Sequence, residues 1–312
     1  MRLATFSFPH DTTPRLGLVV RDGEVVDARQ AFGADAPATL LDLIKSGPDA
    51  WRRLADRLGQ AKPSDLTGAT HTSDRVRWHA PIPRPAKNII CLGLNYASHV
   101  QETSKPGRQP KVPERPVFFT KAATAVNGPY DPVRWDRSAT EQVDYEVELA
   151  IVIGVDGKNI ARDRAARHVF GYTIVNDVSA RDLQFAHGQW FKGKSLDGFC
   201  PMGPVVVTAD AFGDPQNKRL TLRVNGDVRQ NASTRDMIFG VDAIIESLSR
   251  GMTLEAGDLI ATGTPEGVGL GRTPPEYLQD GDVMEAEIEG IGLLRNRIAA
   301  TAGTSPSTSS HS

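Results

Sequence analysis

The run Val143-Asp144-Tyr145-Glu146-Val147-Glu148-Leu149-Ala150-Ile151-Val152-Ile153 constrains this chain more than any other stretch. Strand alternation puts Tyr145, Val147, Leu149, Ile151 and Ile153 on one face. Glu146 and Glu148 then share the opposite face, followed there by Ala150 and Val152. Two carboxylates two positions apart in a partly apolar setting repel each other and raise each other's pKa, a cost that a bound cation removes. The competing reading is an ordinary half-exposed strand whose glutamates face water.

A third carboxylate, Asp177, ends the apolar segment Tyr172-Thr173-Ile174-Val175-Asn176, so it is free to return on a neighbouring strand. Three oxygen ligands with no nearby Cys or His pair suit Mg²⁺ or Mn²⁺, with Ca²⁺ as a further hard cation; zinc and copper fit less well. Just beyond, Arg181 and Gln184 are three apart and would share a helix face that starts at the metal, where they would orient an anionic, oxygen-rich substrate. The competing reading for Arg181 is an ion pair with Asp182 or another surface acid.

A candidate base lies upstream. In Ala97-Ser98-His99-Val100-Gln101-Glu102 a single helical turn brings His99 and Glu102 to one side. A carboxylate beside an imidazole fixes its tautomer and raises its basicity. An exposed histidine with a chance acidic neighbour is the alternative. The residues from Glu102 to Arg115 carry Pro106, Gly107, Pro110 and Pro113 and almost nothing apolar, which describes a mobile loop placed to act as a lid. Near the C-terminus, Thr262-Gly263-Thr264-Pro265 puts a Gly- and Thr-rich turn after a strand, suited to presenting N–H groups and a hydroxyl to an anion.

Several classes drop out. A net charge of -2 gives no basic footprint for nucleic acid. The two cysteines, Cys91 and Cys200, are far apart and form neither a zinc spacing nor a disulfide framework, so a reducing cytoplasmic setting is expected. No apolar run reaches the length of a signal or a membrane span. There is no phosphate loop and no nucleophile elbow, and Gly267-Val268-Gly269-Leu270-Gly271 is not the dinucleotide fingerprint.

A chain of 312 residues has room for two unequal domains. Short strands around the Asp22-Gly23 turn, then helical segments from Thr39 to Gln60 broken at Gly47-Pro48, predict a small β-rich domain over 1–75. Strands near 88–93, 143–155, 172–178, 204–208 and 220–225, with a helix near 241–250, predict a second domain over 76–300. Regular βαβ alternation is missing, so the expected class is α+β, built on curled mixed sheets. The Ser/Thr-rich residues 301–312 are expected to be a disordered tail.

With these motifs in view, residues 78–299 resemble the fumarylacetoacetate hydrolase family. Asp144 to Leu149 is similar to its metal-binding strand, and Asn176-Asp177 with Arg181, Asp182 and Gln184 to its second metal segment. The resemblance implies that Glu146, Glu148 and Asp177 hold the metal, that His99, Glu102 and Lys194 are catalytic, and that Arg181, Gln184 and Thr264 bind substrate. It also implies a mixed β-roll and a homodimer. Lys121-Ala122 departs from a usual Lys-Pro pair, and Glu266 stands where a small or neutral residue is common. The expected activity is hydrolytic C–C cleavage of acylpyruvate-type 1,3-diketo acids, with a His-Glu activated water and a metal-stabilised enolate. Oxaloacetate decarboxylation or keto–enol isomerisation on the same site is the alternative, and a non-catalytic metabolite binder the second. The partner is a small 2-oxo acid, with no nucleic acid or membrane.

Overall fold

A computed structural model describes residues 1–103 and 111–301. Half of the expected lid and nearly all of the expected disordered tail lie outside them. The architecture is α+β. Twelve strands form one sheet whose main path runs from Thr70–Thr72 through Glu24–Asp27, Asp11–Arg21, Arg2–Phe8, Cys200–Thr208, Val169–Asn176, Val147–Ile153, Leu259–Ala261 and Ile89–Gly93 to Val117–Lys121. Five more strands, including Arg219–Val224, Val283–Ile288 and Gly292–Thr301, form a second sheet. Most pairings are antiparallel, but Leu259–Ala261 runs parallel to Ile89–Gly93, so the large sheet is mixed.

The central strand shows why the chain folds this way. Every residue of Val147–Ile153 is buried, on both faces. Val147, Leu149, Ile151 and Ile153 join one core cluster with Leu220, Leu222, Met284 and Ile288 of the second sheet and with Ile244 and Ile245 of the helix Val241–Ser249. Ala150 and Val152 point the other way, into a cluster with Leu3, Leu18, Leu43 and Ile44 of the N-terminal segment. A strand covered on both sides must be apolar throughout, and the run from Leu149 to Ile153 meets that demand. The half-exposed alternative therefore fails: Glu146 and Glu148 are 4% and 1% exposed.

The helical stretch expected over 39–60 is two helices, Leu40–Lys45 and Pro48–Gln60, broken where Gly47 takes a φ of 80°. Among the described residues no helix is long and apolar enough to cross a membrane.

Candidate active site

Glu146 and Glu148 enter the site from the start of the central strand, and Asp177 from the end of its neighbour. Register brings them together: Val147 pairs with Asn176, and the Asp177 N–H donates to the Glu146 carbonyl at 2.8 Å. The Glu146 N–H in turn donates to the Asn176 side chain at 2.9 Å. One carboxylate oxygen from each of Glu146, Glu148 and Asp177 lies within 4.8 Å of the others, and all three residues are buried.

The two glutamates have opposite surroundings. Burial disfavours charge on Glu146, but Lys194 and Arg181 outweigh it and hold the carboxyl at about 2. The Lys194 Nζ lies 2.7 Å from Glu146 Oε2 and 2.7 Å from Asp177 Oδ2, while Arg181 Nη2 lies 2.7 Å from Glu146 Oε1. Glu148 forms no ion pair with any described lysine or arginine and accepts one N–H, from Gly263 at 2.8 Å. Burial, with Asp177 and Glu146 alongside, pushes its carboxyl well above the usual carboxylate range. A buried carboxylate without a cation, beside two others, is the donor set that fits a hard divalent ion.

Lys194 reaches this cluster because two short helices, Arg181–Ala186 and Phe191–Lys194, pack in close contact at Gly193. A Cβ there would come within 2.4 Å of the Gln184 backbone nitrogen. Arg181 also holds Gln184, Nη1 to Oε1 at 3.0 Å. Its carboxylate partners are Asp144 and Glu146, and Asp182 instead accepts from Thr140, so the expected alternative of an Arg181–Asp182 pair does not form.

The expected helical turn is the helix Ala97–Glu102, and His99 Nδ1 lies 2.8 Å from Glu102 Oε1. The other Glu102 oxygen accepts the Gly267 N–H at 2.9 Å, which anchors the pair to the Gly-rich turn. His99, Thr264, Arg181, Gln184 and Lys194 all line one cavity of about 220 Å³ with Glu146 and Glu148. The Thr264 hydroxyl donates to the Val147 carbonyl at 3.1 Å and accepts from Gln230 at 2.8 Å. The Gly-rich turn thus spends its donors on fixing the carboxylate residues.

The model of the fumarylacetoacetate (FAA) hydrolase C-terminal domain matches residues 88–299. The chain belongs to the fumarylacetoacetate hydrolase family. Among its relatives is an oxaloacetate tautomerase of Bacillus subtilis (strain 168), 46% identical over 291 residues, covering 91% of this chain and 95% of the relative. A fumarylacetoacetate hydrolase structure from Exiguobacterium antarcticum superposes with a TM-score of 0.81 at 45% identity, covering 96% of this chain and 100% of that one. The maleylpyruvate hydrolase of Sphingobium sp. SYK-6, solved with manganese(II) and pyruvate, gives a TM-score of 0.75 at 34% identity over 96% and 99% of the two chains.

Three further residues that hold this cluster were not among the expected site residues. Lys121, fully buried, donates to Asp177 Oδ1 at 2.5 Å and to the Val178 carbonyl at 3.0 Å. Asp144 accepts from Arg181 Nε and from the Gly269 and Leu270 N–H groups. Gln230 links the Val147 N–H to Thr264. Asp144 had a visible signal, since it lies in the same acidic run; for Gln230 the sequence offers none.

Proposed function

We propose that this chain catalyses keto–enol tautomerisation of oxaloacetate, using a divalent cation, Mg²⁺ or Mn²⁺, held by Glu146, Glu148 and Asp177. The observation that carries the reading is His99, paired with Glu102, lining the same cavity as Glu146 and Glu148, the two buried carboxylates that cluster with Asp177. The 46% identical tautomerase supports the choice of reaction and substrate. A cation bound there supplies positive charge for the oxygens of a 2-oxo acid.

The chain's own residues do the proton work. With Nδ1–H donated to Glu102, the tautomer leaves His99 Nε2 free to act as a base. Nε2 takes a proton from C3 of the keto form and returns one to the C2 oxygen, so one C–H bond breaks and one O–H bond forms. Glu102 stabilises the imidazolium between the two transfers, and Lys194, held by Glu146 and Asp177, faces the oxygen on which negative charge grows. Leu92 and Phe119 on the cavity wall limit access of water to that charge.

Hydrolytic cleavage of an acylpyruvate is the second reading, favoured by the likeness to the maleylpyruvate hydrolase. There His99 would take its proton from water. The two separate in one assay. Oxaloacetate enol is followed by ultraviolet absorbance with Mg²⁺ or EDTA, and pyruvate release is followed in parallel; acylpyruvates are assayed the same way. Faster enol–keto equilibration without pyruvate, lost in EDTA and in His99→Ala, is the expected result. Unaccelerated equilibration together with acylpyruvate cleavage would establish the hydrolase instead, and pyruvate formed from oxaloacetate would mark a decarboxylase.

A further inference from the structure

The cavity has two unlike halves. Its lining combines a floor, the carboxylate and cation cluster, with an apolar wall of Leu92, Leu94, Phe119, Trp190 and Leu270. The basic side chains of the floor each face a carboxylate: Arg181 faces Asp144 and Glu146, Lys194 faces Glu146 and Asp177, and His99 faces Glu102. An apolar group placed against that wall would gain from burial there.

The wall is a built feature. The Trp190 ring lies directly against the Gly93 backbone, where a Cβ would come within 2.3 Å of it, so only glycine at 93 leaves room. Trp190 meets Phe119 edge to face with ring centroids 5.2 Å apart, and the Phe119 ring lies 5.2 Å from Lys194 Nζ, which joins wall to floor. Leu94 presents its side chain from a left-handed backbone, φ 59°, a conformation that leucine rarely adopts. The next residue holds it there: the Asn95 side chain donates to the Thr262 and Phe239 carbonyls and accepts the Phe239 N–H. Backbone strain kept in this way at a cavity lining points to a role in shaping it. The cavity, about 220 Å³, also exceeds the roughly 150 Å³ that takes up a benzene ring in other proteins.

We propose that this site also tautomerises 2-oxo acids that carry an apolar ring or branched alkyl group on C3 in place of a second carboxylate, and that Trp190 is the residue that selects for that group. The proposal rests on the tautomerase reading, and the step is the same one. The C3–H bond breaks, its proton passes to His99, the electron pair forms the C2=C3 bond, and a proton returns to the C2 oxygen. No oxidant or co-reactant enters.

The test uses the full-length protein with Mg²⁺ and phenylpyruvate as the probe, compared with oxaloacetate, in wild type, Trp190→Ala and Trp190→Phe. Enol absorbance reads turnover, and the thermal midpoint reads binding. The wild type is expected to speed phenylpyruvate equilibration and to gain thermal stability from it. Trp190→Ala should lower the ratio of kcat/KM for phenylpyruvate to that for oxaloacetate by about tenfold or more, with most of it recovered in Trp190→Phe. Phenylpyruvate that is neither turned over nor bound, beside normal oxaloacetate turnover, overturns the proposal alone. An equal loss on both substrates in both variants overturns the role of Trp190. Failure on both substrates, with phenylpyruvate still raising the midpoint, overturns the tautomerase reading and leaves the apolar wall as a binding feature.

Discussion

Glu148 is the residue whose surroundings say most about the site. It is fully enclosed, flanked by Glu146 and Asp177, and its carboxylate accepts the Gly263 N–H. Its pKa is raised in the folded state, so the metal-free fold is destabilised as pH rises from the unfolded value near 4.5 and ionisation is forced in the buried site. Glu148→Gln removes that penalty. In EDTA the variant should be more stable than wild type by on the order of 1 kcal/mol at pH 8, with the gain vanishing below about pH 4.5. In Mg²⁺ the order should reverse, because the variant loses a ligand and with it the stabilisation that binding brings. Thermal melts in both buffers across pH check this, and a variant that still gains stability from Mg²⁺ as wild type does would remove Glu148 from the ligand set. The acidic alternation announced Glu146 and Glu148 because that pattern is local, and Asp177 showed itself separately, as the acid that ends a second apolar segment. Lys121 was visible only as half of an altered Lys-Pro pair, since its partner Asp177 lies on a strand that no short-range spacing connects to it.

At the level of elements, the strand Val147–Ile153 and the helix Ala97–Glu102 were readable from period and composition, and the structure has both. What the sequence hid is how the short helices Arg181–Ala186 and Phe191–Lys194 dock, because the contact is made by a glycine whose value lies in the atoms it lacks. Gly193 brings the second helix onto the backbone of the first, its absent Cβ leaving room for the Gln184 nitrogen and the Ala180 carbonyl oxygen, 2.4 and 2.6 Å from where that carbon would lie. Gly193→Ala must part the helices, and Lys194 is the next residue. Turnover should fall by about 100-fold, as expected when a site group moves by an ångström, while the two cores far from this contact keep the fold. Steady-state kinetics beside circular dichroism separates these outcomes. Turnover within a few-fold of wild type in a folded Gly193→Ala protein would show that Lys194 does not need this docking.

Across the whole molecule, the expected boundary near residue 75 meets a sheet that runs through it. Arg2–Phe8 pairs with Cys200–Thr208, Arg2 opposite Val207 and Leu3 opposite Val206. The N-terminal helices close over the far face of the central sheet: Trp51 stacks edge to face on Phe170 with centroids 4.8 Å apart, and Leu41 fills the space that a Cβ on Gly257 would take. Such pairings join residues some 200 apart in sequence, so local patterning marks each strand but not its neighbour. If the N-terminal segment is a structural part of the catalytic body, the protein should unfold in one cooperative transition. Trp51→Ala, which empties the space against Phe170 and Gly154, should then lower that single midpoint at a cost of about 3 kcal/mol. Its effect should reach the site, because Phe170 lies on the strand that ends at Asp177, so the midpoint measured by near-ultraviolet dichroism and that measured by Mg²⁺ release should shift together. Two separate transitions, with Trp51→Ala moving one and leaving metal release where it was, would show instead that residues 1–75 fold as an independent unit that merely abuts the catalytic sheet.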